Sequence, residues 1–65
     1  MKVKLPTNVI EFLVDLPEHG QGYQKVRLGL KDGKEVETTV QNSEWINLPD
    51  GVLIDAVKSI EYIWD

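Results

Sequence analysis

The stretch Val26–Val40, VRLGLKDGKEVETTV, decides the fold. Two runs of alternating apolar and polar residues flank Lys31-Asp32-Gly33. Asp-Gly between such runs marks a hairpin turn, because glycine accepts positive φ. Register then sets the loop length. A two-residue Asp32-Gly33 turn would put Leu30 opposite Glu35 and Leu28 opposite Glu37, apolar against charged. A three-residue loop, Lys31-Asp32-Gly33, pairs Leu30 with Lys34, Leu28 with Val36 and Val26 with Thr38. Val26, Leu28, Val36 and Val40 then share one face, while Arg27 and Glu37 meet on the other. A slip of one residue turns every side chain over, so the apolar pattern selects the three-residue loop. The expected turn is type I followed by a left-handed Gly33 in a bulge.

Pro49-Asp50-Gly51 repeats the device. Proline suits the first corner of a turn, and glycine the left-handed position. A second hairpin would pair Leu48 with Val52 and Ile46 with Ile54. Trp45, Asn47, Leu53 and Asp55 would then point the other way.

Val9–Leu16, VIEFLVDL, fits two templates. Ile10, Phe12, Val14 and Leu16 alternate with Glu11 and Asp15 as in a strand, with Leu13 the exception. A helix also fits, since Glu11 and Asp15 are four apart and Asn8 with Glu11 resembles a capping box. The β-branched and aromatic content tips the reading to a strand. PEHGQG (17–22) reads as a flexible loop, DAVK (55–58) as a helical turn, and SIEYIW (59–64) as a closing strand. Ile60, Tyr62 and Trp64 share one face of that last strand. About five short strands joined by tight turns predict an all-β fold, a small, strongly bent barrel that closes to remove its edges. The order of elements resembles an SH3-like barrel, expected as a single domain over residues 1–65.

Composition narrows the function. The chain has 65 residues and no cysteine, so neither a disulfide nor a thiolate metal site can supplement a small core. Its 42% apolar and 28% charged residues argue for a folded chain rather than a disordered one. A net charge of −4 disfavours nucleic acid and anionic membranes as partners, though a local basic patch remains compatible with it. No apolar run approaches the ~20 residues of a membrane span, so a cytoplasmic protein is expected.

Residues 26–63 carry a narrower likeness. VRLGLKDGKEVETTV followed by EWINL resembles the first motif of the Sm-like RNA-binding family, in which a Lys-Asp-Gly hairpin precedes an Asn-Leu pair. KSIEYI resembles its second motif. The resemblance implies single-stranded RNA as ligand, Asn47 as a base-contacting residue, and a closed ring of copies. Ser43 stands where that family has aspartate, Thr38 where it has glycine, and Lys58-Ser59 where it has Arg-Gly. Pro49 also cuts short the strand that should follow.

No constellation for chemistry emerges. His19 is the single histidine, beside Glu18 in the 17–22 loop. A metal site usually needs three or four suitable ligands, and a general base needs a nucleophile in reach. His19 therefore reads as a solvated loop residue. The eleven acidic residues are spread along the chain, mostly at outward positions, where they serve solubility. Gly20 and Gly22 lack the following helix of a phosphate cradle. The expectation is a non-enzymatic protein with no cofactor. Trp45, Asn47 and Leu53 form its candidate contact face for a protein partner or a second copy. The alternative is an RNA-binding patch of Tyr23, Lys25, Arg27, Lys31 and Lys34, in which the aromatic ring stacks a base and the cations meet phosphates.

Overall fold

The computed structural model describes residues 1–64. Among them five strands form one strongly curled antiparallel sheet. They are β1 (Lys2–Lys4), β2 (Tyr23–Leu30), β3 (Glu35–Gln41), β4 (Trp45–Asn47) and β5 (Val57–Tyr62), in the spatial order β1-β4-β3-β2-β5. A helix, α1 (Thr7–Val14), connects β1 to β2, and a 3-10 turn (Ile54–Ala56) leads into β5. The fold is all-β, a half-barrel with β1 and β5 at its edges, compatible with SH3-like and Sm-like small β folds.

The β2–β3 hairpin has the register its apolar pattern demands. Leu28 pairs with Val36, Val26 with Thr38, and Arg27 with Glu37. The Leu30 amide donates to the Lys34 carbonyl (2.8 Å) and the Gly33 amide to that of Leu30 (2.9 Å). Gly33 takes φ 92°, where a side chain would be strained. Inward side chains of β2, β3 and β4 (Val26, Leu28, Val40 and Ile46) are fully buried and form the core with Leu5, Leu13, Leu30, Leu48 and Tyr62.

Two expected elements are corrected. Residues 9–16 are not a strand: α1 starts after Pro6, whose carbonyl accepts from the Val9 and Ile10 amides at 3.0 and 3.1 Å, and Pro17 blocks its continuation. Leu13, the exception to strand alternation, is completely buried, and Val9, Ile10 and Leu16 pack beside it. These four positions follow helical spacing, and they leave Phe12 and Val14 exposed. Burial of that stripe outweighs the β-branched content. The Asn8–Glu11 capping box does not form, because Pro6 occupies the cap position.

The second correction is the hairpin at Pro49-Asp50-Gly51. The turn itself forms, with the Val52 amide on the Pro49 carbonyl (3.0 Å) and Gly51 at φ 82°. No strand follows it to pair with β4. Leu48 and Ile46 do not face Val52 and Ile54, since β4 lies between β1 and β3 and its edges are taken: Ile46 pairs with Val3 and with Val40. The chain instead crosses to the far edge, where β5 pairs with β2. The second hairpin joins β3 to β4 through Asn42 and Ser43, at φ 53° and 60°. Positive φ at both corners is the type I′ geometry that matches strand twist.

Ser43 is held in that conformation by the most buried polar side chain, Gln24, which is 1% exposed. The Gln24 amide donates to the carbonyls of Leu13 (2.8 Å) and Leu16 (3.0 Å), and its oxygen accepts from the Ser43 hydroxyl (3.1 Å). One side chain thus joins the end of α1, the start of β2 and the β3–β4 turn. Gln24→Leu keeps the volume and leaves these partners buried without it, so a loss of about 2–4 kcal/mol in urea unfolding is expected. Gln24→Glu should lose more at pH 7 than at pH 4. Burial raises the carboxyl pKa above its unfolded value, and the protonated form can donate one of the missing bonds.

Candidate functional site

Part of the exposed apolar surface lies along the open side of the half-barrel, while Val14, Trp45 and Trp64 are exposed elsewhere. Phe12 on α1 is 54% exposed, Leu53 68%, and Ile54, on the crossover from β4 to β5, 36%. Two adjoining grooves run through this surface and meet at Ile54. The first, about 300 Å³, lies between α1 and β5 and is walled by Val9, Phe12, Val57 and Ile60. The second, about 320 Å³, lies beside β1 and is lined by Met1, Val3, Val52 and Leu53. Each sits at the low end of the range for ligand sites, on the order of 300–1,000 Å³. That volume suits a few inserted side chains better than a large cofactor. Lys58 is the one charged side chain lining the first groove, and it has no ion-pair partner among the described residues.

The structure divides the residues singled out from sequence. Leu53 lines the second groove. Trp45 and Asn47 lie on the opposite, outer face of the sheet, as their register shows. One cross-strand row there runs Tyr23, Gln41, Trp45, Lys4, and the next contains Lys25 paired with Thr39, and Asn47 paired with Lys2. Asn47 Nδ2 donates to Thr39 Oγ1 (3.0 Å), and the Asn47 carbonyl accepts from the Thr38 hydroxyl. Tyr23 and Lys25 therefore join Trp45 and Asn47, although sequence placed Trp45 on a separate contact face and linked Asn47 to RNA only through the Sm-like resemblance. Arg27 is farther along and bound to Glu37 at 3.2 Å. Lys31 and Lys34 sit at the hairpin tip, seven or more residues beyond Tyr23, roughly 20 Å away at strand rise.

The 17–22 loop is pinned, not loose. The Lys25 amide donates to His19 Nδ1 (2.9 Å), so Nε2 carries the ring proton and donates to the Ile63 carbonyl (2.6 Å). The Tyr62 ring packs on His19 (centroids 5.0 Å apart) while its hydroxyl donates to the Pro17 carbonyl (2.5 Å). Gly20 lies beneath the Tyr23 ring, which a methyl group there would strike. His19 is thus a clasp between the loop, β2 and the end of β5, in place of the solvated residue expected.

Phe12, Ile54 and Lys58 were not singled out from sequence. The available signal was the helical spacing of Val9, Ile10, Leu13 and Leu16, which puts Phe12 off the buried stripe. No helix among the described residues is long and apolar enough to cross a membrane. No family model matches the chain, and no curated protein or solved structure shows significant similarity to it.

The clasp yields a measurable expectation. His19→Ala should cost about 1–2 kcal/mol, because two hydrogen bonds are lost, one exposed and one part-buried, together with the packing on Tyr62. Tyr62→Phe should cost about 1 kcal/mol, and a double-mutant cycle should give less than the sum, since both hold one loop.

Proposed function

We propose that this chain is a small non-enzymatic interaction module that binds a protein partner through the open side of the half-barrel. The observation that carries this reading is a set of exposed apolar side chains that border connected grooves there. Phe12, Leu53 and Ile54 border two connected grooves. Single exposed apolar residues are ordinary on any protein, whereas a grouped set marks a contact surface. Affinity capture from cells that make the protein, with wild type and the Phe12→Asp/Leu53→Asp variant side by side, tests it. A partner should be lost with the variant and bind the purified wild-type chain directly. Because both side chains are largely exposed, stability should change by no more than about 0.5 kcal/mol for each. Identical capture by both proteins would refute the reading.

The outer face favours a second reading, single-stranded RNA. Tyr23 and Trp45 lie in one cross-strand row, and Lys2, Lys4 and Lys25 stand around them on a chain of net charge −4. Aromatic rings among cations suit base stacking and phosphate contact. Glu44 lies 4.0 Å from Lys4 and weakens this field. Binding to oligouridine should fall steeply with added salt and weaken with Trp45→Ala and Lys25→Glu. No binding at low salt would dispose of it.

A further inference from the structure

The groove between α1 and β5 borders a strand whose outer edge is unpaired. β5 pairs only with β2. In that ladder Arg27 faces Glu61 and Gly29 faces Ser59, and the Ile63 amide donates to the Lys25 carbonyl at 3.1 Å. Backbone groups alternate in direction along an antiparallel strand. Ser59 and Glu61 thus spend theirs on β2, Ile63 gives β2 its amide and His19 its carbonyl, and the N–H and C=O groups of Ile60 and Tyr62 project away from β2. They have no hydrogen-bond partner among the described residues. The other edge differs. Both edge strands carry lysine, but β1 has only three residues, and a very short edge strand is one way to blunt an edge. β5 has six.

We propose that an extended peptide segment of a partner protein adds to β5 as a sixth strand, in the groove against α1. This rests on the reading of the chain as an interaction module and specifies the ligand. An added strand would use the Ile60 and Tyr62 backbone groups for affinity and the groove for specificity. Every second side chain would enter the space between Ile60 and the helix residues Val9 and Phe12, so these side chains are apolar. Lys58, the unpaired cation lining the groove, calls for an acidic side chain at that end of the segment. α1 forms the opposite wall, and a volume of about 300 Å³ holds the side chains of one short segment. Two copies of net charge −4 would repel each other.

A display library of random linear peptides of about eight residues, panned on the full chain, supplies the probe. Enriched sequences should carry apolar residues at every second position and an acidic residue near one end. N-methylation of a labelled hit should weaken binding more than about tenfold at alternate amides, with little effect at those between. Lys58→Glu should weaken acidic hits by about fivefold. Amide exchange at Ile60 and Tyr62 should slow on binding. Hits with anchors three and four residues apart, insensitive to N-methylation, would overturn strand addition while leaving an interaction module intact. Slower exchange at Ile60 and Tyr62 on raising protein concentration alone would assign the edge to a second copy and overturn the peptide. Failure to enrich any peptide overturns the strand whatever the capture experiment gives. Only identical capture by wild type and Phe12→Asp/Leu53→Asp removes the broader reading as well.

Discussion

A single buried amide governs how this half-barrel is assembled. Removing Gln24 from water costs several kcal/mol unless its donors and acceptor are all satisfied. They are satisfied by Leu13, Leu16 and Ser43, which are 11, 8 and 19 residues away along the chain. The condition can be met only if the end of α1, the start of β2 and the β3–β4 turn arrive together. An isolated eight-residue helix is marginal in water, so α1 depends on this anchor and on the burial of Leu13. The turn depends on it too. Ser43 occupies a left-handed conformation that glycine would adopt more easily, and its hydroxyl supplies the hydrogen bond that glycine lacks.

That constraint also shapes the surface. Held at its C-terminal end, α1 buries Leu13, Val9 and Ile10 and turns Phe12 outward beside the crossover. The wall opposite β5 therefore follows from a hydrogen bond on the far side of the helix. The His19 clasp fixes the neighbouring corner by tying the 17–22 loop to β2 and to Ile63. The C-terminal end of α1 and the end of β5 are thus held by polar groups as well as by apolar packing.

This explains what the sequence disclosed and what it withheld. The β2–β3 register was legible because Leu28, Val36, Arg27 and Glu37 leave one pairing with matched faces. Residues 9–16 satisfied both periodicities, and only Leu13 discriminated between them; local composition could not show that Gln24 would receive the helix end. Pro49-Asp50-Gly51 is a turn, as its residues require, but a turn does not say which strand follows. The type I′ turn at Asn42-Ser43 was hidden because serine replaces the expected glycine. The candidate contact residues fared accordingly. Trp45 and Asn47 share a face because they are two apart on one strand. Their neighbours Tyr23, Lys25, Lys2 and Lys4 come from pairings of β1 with β4 and β2 with β3, and Leu53 lies elsewhere because the expected second hairpin does not form.

Small size gives a bland account of the exposed apolar residues. A chain of 65 residues hides only about 60% of the surface it exposes when unfolded, so some apolar side chains must remain outside. Val14, Trp45 and Trp64 are scattered as size alone would have it, whereas Phe12, Leu53 and Ile54 border two grooves that meet at Ile54. A closed barrel would have joined β1 to β5 and left neither groove nor free backbone. The short β1 and the crossover after Pro49 go with that open edge, and Ile60, whose backbone groups are left unpaired, lines the same groove as Phe12 and Ile54. Unpaired backbone and exposed apolar surface are each a liability in isolation. Brought together along one groove, they present what a strand needs from a partner.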